Sequence, residues 1–187
     1  MVTRKSTRRT GESAKRGATR NVVRRYRYAE CGLSNVYLKN VERVRRGGRW
    51  KIRLRAVPTL HRVIGACLAY KPVRLAGEEI RFIRSVLGYA GQEFAALLSV
   101  RPETLSRIEC GHEPVSRAVD KLVRLRVVLD LLRHGDLGSR YDLDDFEEII
   151  DREVPPADRD LALFLDHRGP AREGSTSPML FEFRQAA

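Results

Sequence analysis

The chain has 187 residues, enough for one good hydrophobic core or two small ones. It carries 36 Lys and Arg against 24 Asp and Glu, a formal net charge of +12, which favours polyanionic partners. No apolar run approaches the roughly 18–20 residues of a membrane span, and the basic, polar start has no apolar stretch behind it; the expectation is a soluble, cytoplasmic protein without a secretory signal.

Residues 1–22 are rich in Lys, Arg, Ser, Thr and Gly and offer almost nothing to bury, the composition of a disordered basic arm. Two roles stay open for it: lying along phosphates or in a minor groove, or remaining a solvated tail. The positive charge is concentrated early. Residues 1–76 hold 21 Lys or Arg against 3 acids, whereas residues 77–187 hold 15 against 21. If the protein holds a nucleic acid, much of the phosphate attraction is therefore expected from the first 76 residues.

Residues 23–75 read as a β-rich module with a linker helix. Val36-Tyr37-Leu38 forms a short strand after a turn over 32–35, and Gly47-Gly48 is a hairpin signal. Beyond it, Arg49-Trp50-Lys51-Ile52-Arg53-Leu54-Arg55 alternates basic and apolar positions. A strand of that order is expected to bury Trp50, Ile52 and Leu54 on one face and to present a cationic ladder on the other, either solvated or against phosphates. Residues 58–70 predict a helix with Pro58 near its start. Leu60, Val63, Ile64, Cys67 and Leu68 share its apolar face, and His61 falls on its surface.

Residues 76–135 read as all-α. Ile80, Ile83, Val86 and Leu87 repeat at helical spacing over 77–87, with Glu78 and Glu79 in a first turn that favours acids. Residues 88–111 then predict two short helices joined by a tight turn. Phe94, Ala95, Leu97 and Leu98 make the apolar stripe of the first, and Ser99-Val100-Arg101 makes the turn. Pro102 opens the second helix, Leu105 and Ile108 face inward, and Gly111 supplies the stop. A long helix over 115–133 carries Val119, Leu122, Val123, Leu125, Val128, Leu129 and Leu132, wider than one bundle face requires. It is expected to pack on residues 143–151 or to form a dimer seam. Residues 136–187 read as an acidic and largely irregular tail, with one short acidic helix over 143–151.

The stretch 88–111 resembles the XRE or lambda-repressor-like helix-turn-helix family. It keeps the apolar frame, Ala95 at the helix crossing, Thr104, Ser106-Arg107 and Glu109-x-Gly111. It departs where Gly91 stands for a phosphate-touching Gln, although Gln92 follows at once, and where Ser99 replaces the turn Gly. Arg101 replaces a capping Ser, a loss of about 1 kcal/mol. The resemblance implies an α+β protein whose small N-terminal β-rich module precedes an all-α helix-turn-helix bundle of the lambda-repressor-like type. It further implies DNA-binding residues Gln92, Arg101, Glu103, Thr104, Ser106 and Arg107. Thr104 and Gln92 would touch phosphates, while Glu103, Ser106 and Arg107 would face base edges. Arg107 suits bidentate recognition of guanine. Glu103 has two open readings, an acceptor for cytosine or a partner of the helix dipole.

A narrower resemblance, over roughly residues 23–133, is to MqsA/YgiT-type antitoxin regulators. It rests on Tyr26-Arg27-Tyr28-Ala29-Glu30-Cys31-Gly32-Leu33-Ser34-Asn35-Val36-Tyr37-Leu38, on Leu60-His61-Arg62-x-Ile64-Gly65 and on Leu75-x-Gly77-Glu78-Glu79-Ile80-Arg81-Phe82-Ile83-Arg84. It implies a homodimer that binds double-stranded DNA and represses its own operon, with a small toxin protein as a further candidate partner. The zinc-binding cysteine pairs of that family are absent. Cys31, Cys67 and Cys110 are far apart and none forms a Cys-x-x-Cys pair, so no metal and no cofactor are expected. The leading expectation is a sequence-specific DNA-binding transcriptional regulator. The alternatives are a toxin-neutralising interaction protein and a non-specific nucleic-acid binder driven by the basic arm. No enzyme is expected: the sequence offers no nucleophile beside a base, no glycine-rich phosphate loop and no carboxylate pair at a recognisable spacing.

Overall fold

The computed structural model of the chain describes residues 21–54, 56–134, 154–155, 161–166 and 181–185. Strands β1 (Val22–Arg27), β2 (Val36–Arg46) and β3 (Arg49–Arg53) come first among the described elements. Gly47 and Gly48 take φ of 58° and 77°, the two left-handed residues of a two-residue hairpin loop, and they join β2 to β3. Strands β4 (Leu161–Asp166) and β5 (Phe181–Gln185) complete a five-stranded sheet among the described residues. β1 lies antiparallel to β2 from Val22↔Glu42 to Arg27↔Tyr37, and β4 lies parallel to β2 from Val36↔Leu163 to Lys39↔Asp166. Because Glu42 pairs with Val22 and with Arg53, β1 takes one edge of β2. β4 and then β3 follow each other along the opposite edge.

The fold is α+β. One apolar cluster joins Val36, Leu38, Val41, Leu163 and Leu165 of the sheet to Leu60, Ile64 and Leu68 of helix α1 (Val57–Ala69). It continues through Ile80 and Ile83 of α2 (Gly77–Val86), Phe94 and Ala95 of α3 (Gly91–Leu97) and Leu98 just past its end. Leu105 and Ile108 of α4 (Pro102–Glu109) and Val119, Val123, Val127 and Val128 of α5 (Arg117–His134) close it. The core therefore runs unbroken past residue 75, where the sequence suggested a module boundary. No helix of the described residues is long and apolar enough to cross a membrane.

Five expectations are corrected. Residues 161–166 and 181–185, read as irregular tail, are strands, and β2 extends well past Leu38, to Arg46. Trp50 points to the same face as Ile52 and Leu54 but is 48% exposed. Leu54 and Ile52 reach the core, whereas Trp50 lies farther out on the hairpin, beneath the Arg43 guanidinium at 4.5 Å. Leu97 is 44% exposed, because the seven-residue α3 buries only Phe94 and Ala95, with Leu98 just beyond its end. His61 is not a surface residue of α1. It is half-buried, its Nε2 2.8 Å from the Tyr28 hydroxyl, with its ring edge-on to Phe82. Of the predicted arm (1–22), residues 1–20 lie outside the described residues and Val22 belongs to β1; the acidic helix (143–151) also lies outside them.

Between α1 and α2 the linker passes through a buried polar cluster. Lys71 Nζ donates to both oxygens of Glu79, at 2.8 and 2.7 Å, and Glu79 also accepts from the Ala76 backbone N–H at 2.8 Å. Arg124, only 2% exposed, donates to the carbonyls of Ala69, Lys71 and Val73 at 2.7–2.8 Å. Its Nε meets Asp120 Oδ2 at 2.8 Å, and Asp120 Oδ1 accepts from the Leu75 N–H at 2.8 Å. Two cations and two carboxylates thus neutralise one another, and much of their hydrogen-bonding capacity is met by the linker backbone. Buried charges need both conditions to be tolerated.

Burial pushes the His61 imidazole below its ordinary value, and burial first among its causes pushes the Tyr28 hydroxyl up. Tyr28 therefore keeps its proton, and its hydroxyl shares one hydrogen bond with a ring that burial holds neutral. The unfolded chain takes a proton on this histidine near pH ~6.5, while the folded chain resists it. The stabilisation is complete above that pH and is lost as pH falls from there through the lower folded value. Urea midpoints measured from pH ~7.5 down to ~5 are expected to fall for the native chain and to fall less for His61→Gln. Equal slopes for the two proteins would remove His61 as the titrating group.

Candidate nucleic-acid interface

α3 and α4 form a tight pair set by their caps. At the end of α3 the Val100 N–H reaches the Ala95 carbonyl and the Ser99 N–H the Ala96 carbonyl, at 3.0 and 3.1 Å. Ser99 takes the left-handed position, φ 55°, that such a cap requires. The same double bond pattern ends α4, where His112 reaches Arg107 and Gly111 reaches Ile108, with glycine in the left-handed place. At the start of α3 the Ala90 N–H donates to the Glu93 carboxylate at 3.1 Å, one half of a capping box with no side-chain oxygen to return the bond. Arg101 occupies the cap position of α4 and its side chain makes no capping bond there.

α4 divides by face. Leu105, Ile108 and Glu109 are buried, whereas Glu103, Ser106 and Arg107 are exposed and share one side at spacings of three and four. Thr104 is half-buried beside them and Arg101 is exposed at the helix start. Five of the six expected residues thus lie on α4 or its cap. The sixth, Gln92, is exposed in the first turn of α3 and makes no hydrogen bond to the α4 set. Arg107 is 64% exposed, and among the described residues its one ion-pair partner is Glu113 at 3.5 Å, 41% exposed. Such a pair holds by at most about 1 kcal/mol, so the guanidinium is free to take another partner.

The back of α4 is braced much more firmly. Arg84 of α2 forms a two-pronged bond to Glu109, at 2.7 and 2.9 Å, and the Glu109 carboxylate holds the guanidinium above its ordinary value. Arg81 donates to the Glu109 carbonyl at 3.1 Å. Gly77, at the first turn of α2, lies so close to α4 that a Cβ there would sit 1.9 Å from the Ile108 carbonyl oxygen. Sequence reasoning took Glu109 as a motif letter without a role. Its position four residues after Leu105, on the inward side, was the available signal.

The β2–β3 hairpin is the other cationic feature. Arg43, Arg45, Arg46, Arg49 and Lys51 are all exposed, and no carboxylate of the described residues pairs with any of them. Of the three cysteines, Cys67 is buried and its thiol pushed up to about 12 by that burial, Cys31 is half-buried and also pushed up by burial, and Cys110 is exposed. Among the described residues no three His, Cys, Asp or Glu side chains converge as metal ligands would. Compared with family models, curated proteins and solved structures, the chain matches none.

Proposed function

We propose that this protein is a sequence-specific transcriptional regulator that binds double-stranded DNA. In this reading α2–α5 act as a lambda-repressor-like helix-turn-helix bundle, and α4 enters the major groove. The observation that supports it best is the outer side of α4, where Glu103, Ser106 and Arg107 stand exposed on a helix whose inner side is locked by Glu109 and Arg84. A rigid helix presenting a weakly held Arg and polar side chains suits the reading of base edges. Gln92, Arg101 and Thr104 flank that side and serve phosphates. As a homodimer the protein reads two half-sites about one helical turn apart, represses its own operon, and works in the cytoplasm.

The test is fluorescence anisotropy with a duplex from the protein's own upstream region and a scrambled duplex of equal length. Arg107→Ala is expected to weaken the upstream duplex by about 10-fold or more, the 1–3 kcal/mol of a lost base contact, and to leave the scrambled one nearly unchanged. Equal binding to both duplexes, untouched by the substitution, would sink the reading. Arg107 is exposed, so the variant keeps its fold.

A further inference from the structure

We infer that the β2–β3 hairpin is a second DNA-contacting element, a cationic ribbon that grips duplex phosphates without reading sequence; this rests on the DNA-binding reading above. β1 last pairs with β2 at Val22↔Glu42, and the Arg43 N–H still reaches the Asn21 carbonyl at 2.8 Å; among the described residues three residue pairs of the hairpin continue beyond, from Val44↔Lys51 to Arg46↔Arg49. At ~3.4 Å per residue that is a two-stranded ribbon ~10 Å long, of a width that a DNA major groove admits.

The charge on this ribbon has one sign. Between Arg43 and Lys51 every charged side chain is basic. Cross-strand pairing sorts them onto both faces: Arg43 and Arg45 stand with Trp50 and Ile52, while Arg46, Arg49 and Lys51 stand on the other side with Val44. A ribbon seated between the two phosphate rows of a groove therefore meets a phosphate row with each face. Repulsion among five cations that no carboxylate of the described residues pairs is a cost that a polyanion removes on binding. Trp50 is consistent with this role. A half-exposed indole on a cationic ribbon buries little within the chain, and with Arg43 over one ring face the remainder is open to sugar or base edges.

Trp50 also supplies the test, because it is the only tryptophan of the chain. The full chain is titrated with the upstream duplex while anisotropy reports saturation and indole emission reports acrylamide access to Trp50. Shielding of Trp50 at saturation is expected. The Arg45→Ser/Arg46→Ser/Arg49→Ser variant is expected to weaken upstream and scrambled duplexes alike and to lower the slope of log affinity against log salt by about 2 to 3, near 0.9 per lost phosphate contact. Saturation with unchanged access to Trp50 overturns the assignment even if the variant misfolds, and an unchanged salt slope in a folded variant overturns it as well. Stronger shielding by a single strand than by the duplex overturns the choice of duplex DNA. Loss of selectivity in the Arg107→Ala experiment is a separate result. It would remove the sequence-reading role of α4 and leave a ribbon that shields Trp50 as a general DNA contact.

Discussion

Replacing Arg124 by Ala is expected to destabilise the protein by about 3–5 kcal/mol, the range for breaking a buried charge pair by removing one partner. The loss has two parts. Asp120 is left as a buried carboxylate whose one remaining side-chain partner among the described residues is the Leu75 N–H. The carbonyls of Ala69, Lys71 and Val73 lose the donor that satisfies them at 2.7–2.8 Å. Set against a total stability of about 5–15 kcal/mol for an ordinary domain, this is enough to leave a large unfolded fraction. Arg124→Lys should recover little, because an ammonium cannot serve three carbonyls and a carboxylate with the planar fork that Arg provides. Urea unfolding followed by circular dichroism measures both. A midpoint for Arg124→Lys equal to that of the native chain would show that charge alone, rather than the fork, holds the linker between α1 and α2.

Gly77→Ala is expected to cost about 3 kcal/mol, the upper part of the usual range for overpacking. The added methyl would lie 1.9 Å from the Ile108 carbonyl oxygen and 3.0 Å from its carbon, and neither is the far end of a flexible side chain. Relief requires α2 and α4 to part. The movement would also stretch the bonds from Arg84 and Arg81 to Glu109. The same substitution should therefore weaken selective DNA binding in the fraction that stays folded, although Gly77 lies on the buried side of α4 and not on its outer face. Thermal unfolding and anisotropy with the upstream duplex separate the two effects. A Gly77→Ala protein as stable as the native chain would show that the α2–α4 crossing is looser than its geometry.

The helices were legible in the sequence to within about two residues. Residues 58–70 became Val57–Ala69, 77–87 became Gly77–Val86 and 115–133 became Arg117–His134. Their signals are local ones, a 3.6-residue apolar period with Pro near the start and Gly past the end. The outward set on α4 was legible for the same reason, since Leu105 and Ile108 assign the inner side and leave Glu103, Ser106 and Arg107 to the outer. β4 was not legible. Leu161-Ala162-Leu163-Phe164-Leu165 is a continuous apolar run with no alternation, and Ala162 through Phe164 and Leu165 are buried in the structure. A parallel strand covered on both faces carries no period to read, and its partner β2 lies more than a hundred residues earlier.

What the sequence determined by itself is what depends on neighbours in the chain: where helices start and stop, the Gly47-Gly48 turn, and the direction in which each side chain leaves its element. The tertiary structure alone decided which of those directions meet something. Period-two alternation turned Trp50 toward the same side as Ile52, but no packed layer of the described residues reaches that end of the hairpin, and the indole is 48% exposed. Helical spacing made Glu79 a partner for the helix dipole and gave Arg124 no special mark, yet Lys71 and the linker carbonyls converge on them in the core. Burial is a property of the space opposite a residue. That space is filled by segments far away in sequence, which no local pattern encodes.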